Sequence, residues 1–289
     1  MTTVRDWKVP AAVFALVSLG LVGVASAAMM TLDLKPTEGL GAIFILAAMW
    51  IPSVARLVTV RTVDKGWVAP LPLKRWGRPR LAVIALPLLA SAAVYVAAYA
   101  ASWFAGIERG APTWDSPGAI ALNVAINLPL LAAIGLIGGL GEELGWRGYL
   151  QPRLDQAGVR GALLWVIVLE WAFHLPIIVM VGYLQSTSLA ASLALFFVLK
   201  LGATPLWTWG TYKLRSIWVA VWFHSLHNAL SQTIFPKALG AGDPLWLDEA
   251  GLLPGAVYVV AAAAIVAWVI AKKGGWTAWA RSQMSPEMS

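Results

Sequence analysis

The sequence is dominated by apolar stretches of bilayer length, and a chain built this way has few folds open to it. Crossing roughly 30 Å of hydrocarbon takes about 20 apolar residues in a helix. Eight such stretches run near residues 9–30, 38–60, 81–104, 118–140, 161–183, 188–210, 216–235 and 254–271. A backbone inside hydrocarbon must satisfy its own hydrogen bonds, so these segments are expected to be helices. The expected fold is all-α: a polytopic integral membrane helical bundle of about eight transmembrane helices, forming one membrane domain over residues 1–289. Hydrophobic residues make up 60% of the chain and charged ones 12%, which rejects a soluble domain.

The net charge of +7 is distributed by connection. Arg5 and Lys8 precede the first stretch, and Arg61, Lys65, Lys74, Arg75, Arg78 and Arg80 crowd the link after the second. Arg147, Arg153 and Arg160 follow the fourth, Lys213 and Arg215 the sixth, and Lys272, Lys273 and Arg281 the eighth. The other connections hold Lys35, Arg109 and Lys237 against Asp33, Glu38, Glu108, Asp115, Asp243, Asp248 and Glu249. Cytoplasmic connections retain positive charge. The chain is therefore expected to be a multi-pass protein of the cell membrane with both termini cytoplasmic, residues 275–289 forming a short polar tail. Basic residues scattered over short links do not make a nucleic-acid face, so the implied partner is the lipid bilayer. The Arg-rich link 61–80 is read as an orientation signal rather than a lipid-headgroup site. Arg5, Lys8 and Ala25-Ser26-Ala27 also outline a cleavable signal peptide, but the apolar run between them exceeds a signal h-region of roughly 7 to 15 residues. With no cysteine, disulfides, thiol catalysis and cysteine-ligated metal centres are excluded.

Charged residues at membrane depth are costly and mark functional sites. Glu142 and Glu143 sit at the end of the fourth stretch, followed by Arg147. On a helix, residues four apart share a face, so Glu143 and Arg147 are expected to pair, whereas Glu142 has Trp146 at that spacing and stays free to react. Helix capping by both acids is the competing structural reading. Glu170 and His174 share a face in the fifth stretch, where Pro176 frees a backbone carbonyl one turn earlier. His174 either satisfies backbone or Glu170, or projects into a cavity. In the seventh stretch His224 and Asn228 are four apart and can converge on one point as an oxyanion hole, or they join helices by hydrogen bonds. His227 is expected as a supporting neighbour. Lys200 is expected to pair with Glu170 or to reach toward the interface. Ser225 lacks the Gly-x-Ser-x-Gly elbow of a serine hydrolase. No His-Glu-x-x-His motif occurs; a zinc ion held by Glu142, His174 and His224 is left open, since ligands on separate helices need no local motif.

Taken together, Glu142-Glu143-x-x-x-Arg147, His174 with its upstream neighbours, and His224-x-x-x-Asn228 resemble the signature of the CAAX protease and bacteriocin-processing (CPBP) family of intramembrane endopeptidases, which includes type II CAAX prenyl endopeptidases. The resemblance covers a core of about 118–235. It departs at Glu170, where that family usually has Phe. The resemblance implies a peptidase in which Glu142, with His174, activates water while His224 and Asn228 stabilise the oxyanion, and Glu143 and Arg147 hold the helices. No cofactor is expected, with zinc as the alternative. The substrate implied is a peptide or protein, membrane-associated, prenylated or carrying a leader, in a bacterial membrane, with the site opening near the cytoplasmic end of spans four, five and seven. Glu170 is expected to orient His174, and Glu170→Phe to keep measurable activity. A non-catalytic scaffold or bacteriocin-immunity protein is the rival, and a proton-coupled transporter using Glu142, Glu170 and Lys200 a third reading.

Overall fold

The structure is a computed structural model that describes residues 6–71, 73, 80–184 and 186–284. Arg5, the basic residues Lys74, Arg75 and Arg78, and the last five residues of the expected tail lie outside the described residues. The helices are α1 (Lys8–Thr31), α2 (Gly39–Ala48), α3 (Ile51–Thr62), α4 (Ala82–Phe104), α5 (Pro117–Gly145), α6 (Gln151–Ala157) and α7 (Ala162–Pro176). They continue with α8 (Leu189–Lys213), α9 (Ile217–Ala229), α10 (Phe235–Leu239), α11 (Pro244–Leu247), α12 (Leu252–Lys273) and α13 (Trp276–Met284). Short π-helical turns at Trp146–Leu150, Ile177–Val181 and Leu230–Ile234 follow α5, α7 and α9. There is no strand among the described residues, only an isolated bridge between Arg109 and Gly242.

Among the described residues, seven helical stretches are long and apolar enough to cross a membrane, with α2 and α3 forming one and α5 running on through α6. The seventh expected span, near residues 216–235, is also helical, as α9 and the turn after it, but falls outside those seven. His224, Ser225, His227, Asn228, Ser231 and Gln232 make it polar, and it tolerates them because most of it is buried in protein. It packs along α5 and against α4 and α8. The outer helices instead expose Leu16, Val24, Leu89, Phe104 and Val260, as a lipid-facing surface requires.

Helix ends follow local chemistry. Ser116 and Ser188 cap α5 and α8 by accepting from the N–H groups of Ala119 and Ala191 at 3.2 and 3.1 Å. Gly158 ends α6 at φ +75, a left-handed conformation that turns the chain back toward α7.

The connections sort into two faces. Arg153 pairs with Asp64 at 2.9 Å, Trp67 donates to Gln156 at 3.2 Å and Trp218 to the Leu73 carbonyl at 2.8 Å, gathering the basic links on one side. On the other, the Gly110 N–H reaches the Ala241 carbonyl at 2.8 Å, the Trp114 N–H reaches that of Lys237 at 3.0 Å, and Tyr183 reaches Glu249 at 3.2 Å. Residues 276–284, expected within a short polar tail, are helix α13 on the basic face. Trp279 and Ala280 are buried beside Tyr212 and Val269, and Arg281 donates to the carbonyls of Asp155 and Gln156 at 3.0 and 3.2 Å. Its few apolar positions are spaced to one side of a helix, which polar composition hid.

Candidate active site

The site forms where α9 lies close against the last turns of α5. A Cβ on Gly139 would stand 3.3 Å from both the Cβ of His224 and the Val221 carbonyl, so a bare glycine brings the two backbones together. The next residue of α9, Ser225, donates to the Ala132 carbonyl at 2.6 Å, which makes this serine a tether between helices. The approach fixes His224 over the two adjacent acids.

Glu142 and Glu143 are both buried but meet different neighbours. Glu143 accepts from Arg147 Nη1 at 3.0 and 3.2 Å, the pair expected from spacing, and from His224 Nδ1 at 3.1 Å. Arg147, within the π-helical turn after α5, also pairs with Glu170 and lies 5.6 Å over the Trp207 ring. Glu170 accepts in addition from Thr204 Oγ1 at 2.7 Å and stands 3.9 Å from Lys200 Nζ. Helices α5, α7, α8 and α9 and the turn are thus joined by one buried charge cluster. Glu142 stays out of it, its Oε1 3.9 Å from His224 Nε2, too far for a direct hydrogen bond.

The Glu170 side chain does not orient His174. His174 Nδ1–H donates to the backbone carbonyl of Glu170 at 2.7 Å, while the carboxylate turns away to Arg147, the stronger partner for a buried anion. Because a carbonyl only accepts, His174 Nε2 keeps its lone pair. The ring is set by Phe196, with centroids 4.6 Å apart. Asn228, one turn beyond His224, has no side-chain hydrogen bond among the described residues and is partly exposed. Glu142, His174, His224 and Asn228 all line one cavity of about 470 Å³.

His227 faces that cavity too, but as part of a second cluster. Its Nδ1 is 3.0 Å from the Tyr258 hydroxyl and 3.3 Å from that of Tyr95, and its Nε2 is 3.7 Å from Glu249. Glu249 also accepts from Gln232 at 2.7 Å and Tyr183 at 3.2 Å. Sequence reasoning missed Glu249, Gln232 and Tyr183. Gln232 continues the four-residue series of His224 and Asn228, so periodicity alone could have found it. Glu249 lies in a short non-periodic connection and gave no signal.

The cavity also runs the opposite way from expectation. Its exposed lining residues are Thr37, Ala42, Ile43, Ile134 and Gln232, toward the face away from the basic links. At its inner end Glu143, Arg147 and Glu170 are each at most 1% exposed, with Trp146, Tyr149 and Leu150 buried beyond them. The buried ion cluster closes the side on which an opening was expected. Among the described residues, no three His, Asp or Glu side chains are grouped closely enough to hold a metal ion.

Residues 124–230 match the family model described as type II CAAX prenyl endopeptidase Rce1-like. The resemblance read from the motifs is shown over that segment. It lies within the core of about 118–235 and includes every residue of the three motifs. The Rce1-like family is one of CAAX-type intramembrane proteases. A comparison with curated proteins finds no match.

Proposed function

We propose that the protein is an intramembrane endopeptidase in which Glu142 activates water without a metal. The observation that carries this reading is the convergence of Glu142, His174, His224 and Asn228 on one cavity while the adjacent Glu143 is consumed by Arg147. A water between Glu142 and His174 Nε2 gives up a proton to the carboxylate as its oxygen attacks the peptide carbonyl. The carbonyl oxygen becomes an oxyanion, which takes hydrogen bonds from the Asn228 amide and from His224 Nε2. His224 Nδ1–H is already committed to Glu143, so donation from Nε2 requires the imidazolium form; the Glu142 and Glu143 carboxylates on either side balance its charge. On collapse the C–N bond breaks, and Glu142 returns its proton to the leaving amine.

The substrate in this reading is a peptide or protein with an apolar, membrane-associated or lipidated portion. Ile43, Leu46, Met49, Leu131 and Ile134 along the cavity supply the matching surface. Its volume of about 470 Å³ lies within the roughly 300–1,000 Å³ usual for sites that enclose small ligands.

The test is cleavage of hydrophobic and prenylated peptides by the purified protein in detergent, with metal content measured in parallel. Glu142→Gln should lower the rate by roughly 10²–10⁴-fold, the usual contribution of a positioned general base, with the unfolding midpoint unchanged. A folded wild-type protein that cuts nothing across a broad peptide set would point to a scaffold instead. Stoichiometric zinc that disappears in His174→Ala would sink the metal-free mechanism.

A further inference from the structure

The two faces of the bundle differ in charge, and among the described residues the cavity is open on only one of them. The links tied together around Asp64, Arg153 and Leu73 carry the excess of Lys and Arg. On the opposite face Lys35, Arg109 and Lys237 are outnumbered by acids. Retention of positive charge in the cytoplasm makes that opposite face extracytoplasmic. Thr37 and Ala42 at the mouth and Gln232 further in belong to this side of the molecule, and all three are exposed. Toward the basic face, the path from Glu142 is blocked by Glu143, Arg147 and Glu170, paired with one another and buried.

We propose that the cavity receives its peptide from the extracytoplasmic side, so that the substrates are exported or membrane-anchored polypeptides whose cleaved bond is presented from outside the cell. The proposal rests on the peptidase reading for what happens to the peptide, but not for where it enters. A substrate confined to the cytoplasm would have to pass the buried ion cluster, which offers no opening. A polypeptide already across the membrane, or anchored in its outer half, meets the apolar mouth at Ile43 and Ile134 directly.

The chain has no native cysteine, so single-cysteine variants report one position each. Thr37→Cys marks the mouth, Thr233→Cys the cavity wall and Lys65→Cys the exposed basic face. Each variant is treated in intact cells with a membrane-impermeant maleimide, then again after permeabilisation and after denaturation. Thr37→Cys and Thr233→Cys should react in intact cells, and Lys65→Cys only after permeabilisation. Labelling of Lys65→Cys but not Thr37→Cys in intact cells would overturn the orientation. Thr233→Cys that reacts only after permeabilisation, or only after denaturation, would overturn the outward opening. Labelling needs no catalysis, so the expected pattern in a protein that cleaves nothing supports the entry side while removing the peptidase reading.

Discussion

The buried ion cluster and the cavity beneath it use the same residue types to opposite ends. In the cluster, Glu143 and Glu170 share Arg147, and Thr204 and Lys200 complete the surroundings of Glu170. In the cavity, Glu142 and Asn228 are held in place by their helices and left without a close partner among the described residues. A carboxylate next to a guanidinium is neutralised and becomes part of the scaffold. One residue earlier in the chain, about 100° around the helix, the same group keeps its capacity to accept a proton. The difference teaches that reactivity here is set by which neighbours are withheld.

That contrast can be broken most severely at Arg147. Arg147→Met leaves two buried carboxylates without their common cation and should cost about 3–5 kcal/mol of stability, seen as a lower unfolding midpoint in detergent together with loss of cleavage. An unchanged midpoint would mean that the cluster is not structural. Asn228→Ala acts on the other region: roughly a 10²–10³-fold loss in kcat is expected for one oxyanion donor, with the midpoint preserved. A fall in stability matching that of Arg147→Met would place Asn228 among the structural groups. Glu170→Phe is intermediate, because Arg147 retains Glu143. Stability should drop by about 1.5–3 kcal/mol, the usual worth of a hydrogen bond to a charged group, while cleavage stays measurable; abolished cleavage in a folded protein would give Glu170 a direct part in the chemistry. The smallest effect belongs to Glu249→Gln, which keeps most of the contacts to Gln232 and Tyr183. A loss of about 1 kcal/mol in kcat/KM, carried by KM, would mark it as a wall of the binding space, whereas a fall in kcat alone would bring it into the reaction.

Much of this division is legible in the sequence. The apolar lengths give the helices, and the spacing of Glu143 and Arg147 gives their pair, because a four-residue interval on one helix is a local geometric fact. His224, Asn228 and Gln232 follow by the same rule. What is not legible involves choices between helices. Glu170 has His174 on its own face, yet its carboxylate finds Arg147 and Thr204 on other segments, and His174 is oriented by a backbone carbonyl that any residue at position 170 would supply. Glu249 reaches the cavity only because residues 240–251 fold inward between α10 and α12. The direction of the cavity is set by which end the buried cluster seals, a property of several helices at once. Helix α13 escaped notice because its two tryptophans sit in a polar stretch whose apolar positions matter only once Tyr212 and Val269 are beside them.

The sealed inner end also has an electrical consequence. A cavity that admits water to the middle of the bilayer shortens the distance over which the membrane voltage must fall, so the field concentrates across the packed layer containing Glu143, Arg147 and Glu170. Moving one elementary charge through the full potential is worth about 2.3 kcal/mol per 100 mV. Each charge in that layer is held by an opposite one, and aromatic and aliphatic side chains are packed behind it. In the proposed peptidase, this layer keeps a deep aqueous site from becoming a leak, so that the membrane stays insulating around a reaction that consumes water.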